Sequence, residues 1–251
     1  MTDGMENALI LKLQSFASLT ANDLALLRRV TKSPRTVDAR IELARRSNGE
    51  GEGGGHVHLV LSGFACLAKY LRDGSRKIVA FLIPGDFCVL DVRMLRTMDY
   101  ALETLSECAV VDIAADEMAE LLSRPAIEQA FQQVRLVEEC TLREWIVNVG
   151  GRPADQRIAH LFCELYARLR MVGLADNFTL AVPISQTVLG EAVGFSSVHT
   201  NRSVQSLRHR GLIHLADQEL KILDLRALRA MCGFAPSYLN LGELSALGAT
   251  M

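Results

Sequence analysis

Residues 184–213 read ISQTVLGEAVGFSSVHTNRSVQSLRHRGLI, and their spacing decides the fold of the C-terminal third. Ser185 carries a hydroxyl suited to cap the free amides of a helix in which Val188, Leu189, Ala192 and Val193 share one apolar face. Gly194 ends that helix. Gly190, four residues earlier, leaves the turn-facing side without a bulky side chain, so a second helix can approach closely. Ser196 caps the second helix, where Thr200, Val204 and Leu207 fall at i, i+4 and i+7 and pack inward. The opposite stripe holds Val198, Asn201, Arg202 and Gln205, with Arg208 one turn further. Gly211 closes the helix. Leu212 to Leu215, a polar turn and Leu220 to Leu223 then read as a hairpin.

The chemistry of that outward stripe suits the edges of base pairs. Arginine forks onto guanine, asparagine or glutamine onto adenine, and an apolar side chain meets a thymine methyl. Residues 192–216 contain no acid to repel phosphates. The pattern therefore predicts a winged helix-turn-helix. The expected DNA-facing residues are Ser185, Gln186, Ser197, Val198, His199, Asn201, Arg202, Gln205, Arg208 and Arg210, with Arg208 and Arg210 assigned to phosphates.

Composition permits this reading without requiring it. At 251 residues, 49% of them hydrophobic, the chain is long enough for two ordinary globular domains. A net charge of -2 and a pI near 6.3 do not by themselves suggest a nucleic-acid partner; the positive charge is local, in Arg202, Arg208 and Arg210. No apolar run reaches the ~18 residues needed to span a bilayer, and the N-terminus lacks a signal-peptide pattern, so a cytoplasmic protein with no membrane partner is expected. Cys66, Cys88, Cys108, Cys140, Cys163 and Cys232 show no Cys-x-x-Cys spacing and read as buried small hydrophobes in a reducing compartment.

Upstream the organisation changes. Residues 8–32 read as short helices, followed by β-rich runs at 56–63, 65–71, 77–83 and 107–113 separated by Ser-Gly, Asp-Gly and Pro-Gly-Asp turns. Strands at that spacing predict a small jelly-roll barrel. From Pro125 to about Asn148 a helix places Ile127, Phe131, Val134, Val137, Thr141 and Trp145 on one stripe, which suits a seam between two chains; packing on the chain's own barrel is the alternative. Gly150, Gly151 and Pro153 then suggest a hinge, and a further helix is expected over 154–171.

Barrel, long helix and winged helix in that order resemble the cyclic-AMP receptor and fumarate-nitrate reduction regulator (Crp/Fnr) family of bacterial transcription factors. The resemblance is carried by Leu59-Val-Leu-Ser-Gly63, Asp73-Gly74 and Pro84-Gly-Asp-Phe87 in the first half. In the second half it is carried by Leu189-Gly-Glu-Ala-Val-Gly194, Asn201-Arg202 and Gly211-Leu-Ile213. It implies an α+β chain with a β-roll sensor domain over 1–124, a dimerisation helix and hinge over 125–150, and a winged helix-turn-helix DNA-binding domain over 151–251. It also implies a homodimer whose recognition helices enter successive major grooves of a palindromic operator in double-stranded DNA, with Arg202 at the base-contacting arginine. RNA polymerase and an effector of unknown identity are the further partners implied; neither catalysis nor a cofactor is expected.

Departures from the family narrow the effector. Nucleotide-binding members grip the ribose with a Gly-Glu-Leu run and the phosphate with an Arg-Ser or Arg-Thr pair. Here the corresponding stretch runs from Cys88 to Leu95, and Met98 stands about where the phosphate arginine falls, followed by Asp99. Methionine cannot neutralise a phosphodiester, so cyclic AMP is not the expected ligand, which leaves Arg93 or Arg96 to hold some other anion or the protein to act without a ligand. The oxygen-sensing branch needs several cysteines near the N-terminus for its iron-sulfur cluster, and the first here is Cys66. Gly51-Glu-Gly-Gly-Gly55 leads into a strand rather than opening a helix, so it reads as a flexible hairpin tip and not as a phosphate loop. His56 and His58 share a strand face in the manner of a metal-dependent cupin enzyme. That rival reading lacks the glutamate such sites add nearby.

Overall fold

The computed structural model describes residues 7–44, 56–88 and 100–240. The chain divides into two compact units, Met1–Val134 and Arg135–Met251, and the division falls inside one long helix rather than at either end of it. The glycine run at 51–55, Arg93, Arg96, Met98 and Asp99 lie outside the described residues.

In the first unit two short helices, α1 (Ala8–Gln14) and α2 (Ala21–Val30), start on side-chain caps. Asn7 Oδ1 accepts the Ile10 amide at 2.9 Å, and Thr20 and Asp23 form a reciprocal capping box. Among the described residues seven strands follow: β1 (Arg35–Val37), β2 (Glu42–Ala44), β3 (Val57–Ser62), β4 (Ala65–Tyr70), β5 (Arg76–Leu82), β6 (Ala101–Thr104) and β7 (Cys108–Ile113). They pair antiparallel in two sheets, β1-β7-β3 and β2-β6-β4-β5. Val60 of the first sheet packs with Ala65, Leu82 and Leu102 of the second, which closes the β-roll. Side chains alternate across a strand, so Val57 and Leu59 point the other way, with Val111 and Ile113. That outer face is covered by α1, α2, α3 (Ala115–Leu122) and the start of α4 (Pro125–Gly151). A buried ion pair pins α1 to the roll: Lys12 Nζ lies 2.6 Å from Asp86 Oδ1, and the second carboxylate oxygen of Asp86 accepts the Ile83 amide at 2.8 Å.

The stripe on α4 expected to face a second chain turns inward instead. Ile127, Phe131 and Val134 are between 0 and 1% exposed in the core of their own unit, with the Phe131 ring edge-on to Phe87 at 5.2 Å. Further along, Thr141 Oγ1 donates to the Val137 carbonyl at 2.8 Å, and Trp145 Nε1 donates to Glu164, so Val137, Thr141 and Trp145 are half-buried. Leu136, Leu142, Ile146, Val147 and Val149 are exposed, and of these Leu142, Ile146 and Val149, spaced four and three, share one stripe, Ile146 being 73% exposed. Both faces of α4 are apolar, and periodicity reports a stripe without saying which one the chain's own body covers. The glycine pair does not interrupt the helix either, for α4 runs through Gly151. Arg152 holds that end by bonding Glu144 at 2.7 Å and the Cys232 carbonyl at 2.9 Å, which offsets the ~1 kcal/mol each glycine costs.

The second unit is built on α5 (Ala154–Met171), whose residues from Ile158 to Ala167 are nearly all buried, as befits a central helix. Around it lie β8 (Ala175–Asp176), β9 (Thr179–Ala181), α6 (Gln186–Val193), α7 (Ser197–His209), β10 (Ile213–Ala216), β11 (Glu219–Ile222) and α8 (Leu225–Cys232). The strands form one antiparallel sheet in the order β10-β11-β9-β8. Asp217 and Gln218 both have positive φ, 48° and 62°, in the two-residue turn joining β10 to β11, the conformation that matches strand twist. Two ionisable residues one turn apart on α5 are sealed inside. Glu164 accepts from Trp145 Nε1 at 3.1 Å, Tyr238 OH at 2.9 Å and Arg168 at 3.2 Å. Burial nevertheless holds its pKa above the usual carboxylate value. His160 packs against Phe234 and Tyr238, its Nε2 3.1 Å from Glu144 at an angle that leaves both ring nitrogens without an aligned partner. Burial, then the Arg152 charge, push its pKa down to about 4.

Candidate nucleic-acid interface

The reader is built from two capped helices and one missing side chain. Ser185 Oγ accepts the Val188 amide at 3.2 Å and starts α6; Ser196 Oγ accepts the His199 amide at 3.3 Å and starts α7. Gly194 stops α6 in the left-handed region, at φ 81°. Gly190 permits the crossing: a Cβ there would stand 2.6 Å from the Phe195 carbonyl oxygen and 2.9 Å from Thr200 Oγ1. The inward face of α7 consists of Thr200, Ser203, Val204 and Leu207, all buried. Burying Thr200 and Ser203 is unusual for hydroxyls, and Thr200 Oγ1 has no hydrogen-bond partner in its niche against Gly190.

The outward face presents the expected residues in several different states. Ser185, Ser197, His199, Arg202 and Arg208 are exposed, and Val198 is 62% exposed. Gln186, Asn201 and Gln205 are half-buried. Asn201 Nδ2 donates to Gln186 Oε1 at 2.6 Å, so two of the expected DNA contacts are bonded to one another across the turn. Arg210 Nη1 lies 3.4 Å from Asp155 Oδ2, a partly exposed ion pair that engages one of the two arginines assigned to phosphates. His199, Arg202, Ser203 and Ser206 line an open groove with Ala154 and Asp155 at the start of α5.

One residue that the sequence reading passed over organises this face. Arg157 of α5 lays its guanidinium over the Phe195 ring at 4.5 Å, and His199 stacks on the same ring with centroids 4.5 Å apart. The same guanidinium donates to the Arg152 carbonyl at 2.7 Å and the Val193 carbonyl at 3.0 Å. Nothing in the local pattern around 157 signals this, because Phe195, in the turn between α6 and α7, and Val193, at the end of α6, lie 38 and 36 residues away.

The histidines of the rival metal reading are otherwise engaged. His58 Nδ1 lies 2.6 Å from Asp112 Oδ1, and Arg35 Nε donates to the other oxygen of Asp112 at 2.6 Å, while His56 is exposed. Hydrogen bonds from Arg35 and His58 hold the Asp112 pKa below its usual value against the opposing effect of burial. Among the described residues no group of three or more His, Cys, Asp or Glu converges on a point, so that reading has no support. Of the cysteines, Cys140 is half-buried and the other five are buried thiols. No described helix is long and apolar enough to cross a membrane.

Comparison with known proteins agrees with this geometry. Residues 156–231 match the model of the Crp-like helix-turn-helix domain, and residues 49–125 match that of the cyclic nucleotide-binding domain. The chain is 26% identical over 221 residues to the transcriptional activator protein FnrA of Stutzerimonas stutzeri, covering 87% of this chain and 88% of that one. It is 25% identical over 173 residues to the nitrogen fixation regulation protein FixK of Bradyrhizobium diazoefficiens, covering 68% and 72%. Its fold is similar to that of FixK2 from Bradyrhizobium japonicum, with a TM-score of 0.66 at 19% identity over 79% of this chain and 96% of that structure.

Proposed function

The chain belongs to the Crp/Fnr family of transcription regulators, and from that premise we propose that it binds a palindromic operator as a homodimer, with α7 in the major groove. The observation that carries this reading is the recognition helix itself. Its apolar side is buried and its acid-free side exposes Val198, Arg202 and Arg208 next to a two-stranded wing. Arg202 reads a base, Val198 offers a thymine methyl an apolar contact, and Arg208 takes a phosphate. The second copy covers Leu142, Ile146 and Val149 of α4, a stripe of the spacing that two-chain seams use.

The sensor half works without cyclic AMP, since Met98 replaces the arginine that would meet the phosphate. Titration calorimetry checks this point, with no saturable heat expected at micromolar cyclic AMP. Selection of bound sequences from random double-stranded DNA tests the main proposal. A two-fold symmetric site is expected, with half-sites about one helical turn apart. Arg202→Ala is expected to cost about 1–3 kcal/mol per half-site and relax one base pair, whereas Arg208→Ala weakens every sequence alike. Enrichment of no site, or of an asymmetric one, overturns it.

A further inference from the structure

The bond between Asn201 Nδ2 and Gln186 Oε1 joins two amides that belong to different helices of the reader, at the lip where half-buried side chains give way to the exposed Val198 and Arg202. An asparagine amide has two protons on Nδ2 and an acceptor oxygen. Reading adenine bidentately takes one of those protons, toward N7, and the oxygen, toward the N6 amino group. The second proton is surplus to that task, and one proton is what Gln186 Oε1 takes here.

Left alone, a terminal amide is nearly two-fold about its last torsion, so it presents donor and acceptor in either order. An acceptor behind it, as Gln186 Oε1 is here, favours the order in which Nδ2 faces Gln186 and Oδ1 is left for the base. We propose that Gln186 is a positioning residue for base recognition: it locks the amide of Asn201 in one orientation, so that the pair, and not Asn201 alone, sets the preference for adenine at one position of each half-site. Gln186 is the first residue of α6, on the far side of the turn from Asn201, so the same bond ties the register of α6 to the base that α7 reads. The inference rests on the DNA-binding reading given above.

The test selects operators from random double-stranded DNA with the full-length protein, then titrates the selected site and its single-base variants with Gln186→Ala, Gln186→Glu and Asn201→Ala. Asn201→Ala is expected to lose about 5- to 150-fold of discrimination at one base pair. Gln186→Ala is expected to lose about 2- to 12-fold at that same base pair, the effect of freeing one side chain at an interface. Gln186→Glu keeps an acceptor for Asn201, so it restores the preference while weakening all sequences through repulsion from phosphates. A bond that served only as a strut between helices would let Gln186→Ala lower melting temperature and affinity uniformly and leave base preference intact, and that result overturns the inference. So does a loss of discrimination at a different base pair from that of Asn201→Ala. Failure of the wild-type protein to enrich any site overturns the DNA-binding reading itself and is recognised before any variant is made.

Discussion

Substituting Gly190 by alanine sets two effects of known size against each other. Helix propensity favours the change by about 1 kcal/mol, since alanine is the best helix former and glycine among the worst. Sterics oppose it. The new methyl would sit 2.6 Å from the Phe195 carbonyl oxygen and 2.9 Å from Thr200 Oγ1, whereas ordinary contact starts near 3.4 Å, so the shortfalls are about 0.8 and 0.5 Å. The first obstacle is backbone in a turn whose own amides bond the Gly190 carbonyl at 2.8 and 2.9 Å, so it cannot swing aside. Overpacking of this kind costs about 1–3 kcal/mol, and with backbone as the obstacle the upper part of that range applies, so sterics win by up to about 2 kcal/mol. For a unit of this size that lowers the melting temperature by about 4 °C per kcal/mol, read by scanning calorimetry. Affinity for the selected operator falls with it, because opening the crossing displaces α7. An unchanged or raised melting temperature would show that the two helices separate freely and that close approach at Gly190 is not what sets their angle.

Three further outcomes are expected. His160 titrates near 4 in the folded unit against about 6.5 when unfolded, so between those values the unfolded chain binds more protons and stability falls as pH drops, by on the order of 3 kcal/mol in all; denaturant titrations at pH 7 and pH 4.5 should show this slope flattened in His160→Phe, which keeps the ring, while Glu164 contributes equally to both proteins. Lys12→Met removes the ammonium 2.6 Å from the buried Asp86 carboxylate and is expected to cost about 3–5 kcal/mol in the first unit, with a conservative loss of less than 1 kcal/mol ruling out a structural role for the pair. Ile146→Glu sets two like charges in the proposed seam, so sedimentation should find monomer, whereas Val134→Glu should unfold the first unit because Val134 is 1% exposed in its own core; a soluble, folded Ile146→Glu dimer would remove α4 from the interface.

What the sequence made legible follows from how local each signal is. Ser185, Gly190, Gly194 and Ser196 act within one or two helical turns, and the helices they delimit begin and end where those residues place them. The β8–β9 hairpin was hidden because its turn is Asn177-Phe178, both at positive φ, and a phenylalanine there carries none of the usual Asn-Gly signature. Four-residue β6 is buried on both faces, so it shows no alternation to read. The short helices α3 and α8 likewise escaped, since eight residues hold little more than two turns of periodicity. On α4 the stripe was visible but its partner was not. The bond between Asn201 and Gln186 and the ion pair of Arg210 with Asp155 were not legible, because they arise from tertiary contacts at separations of 15 and 55 residues.

Arg157 carries a consequence for how this reader tolerates change. One guanidinium bonds the Arg152 carbonyl just before α5 and the Val193 carbonyl at the end of α6, and it lies over the Phe195 ring on which His199 also stacks. Three joints share a single fastening. Lysine keeps the charge but offers a point in place of a planar fork, so it could serve one of those joints and would release the other two. The start of α5 and the turn that sets α7 are thus tied through one side chain, and a change in the chain at 152 reaches that turn through Arg157.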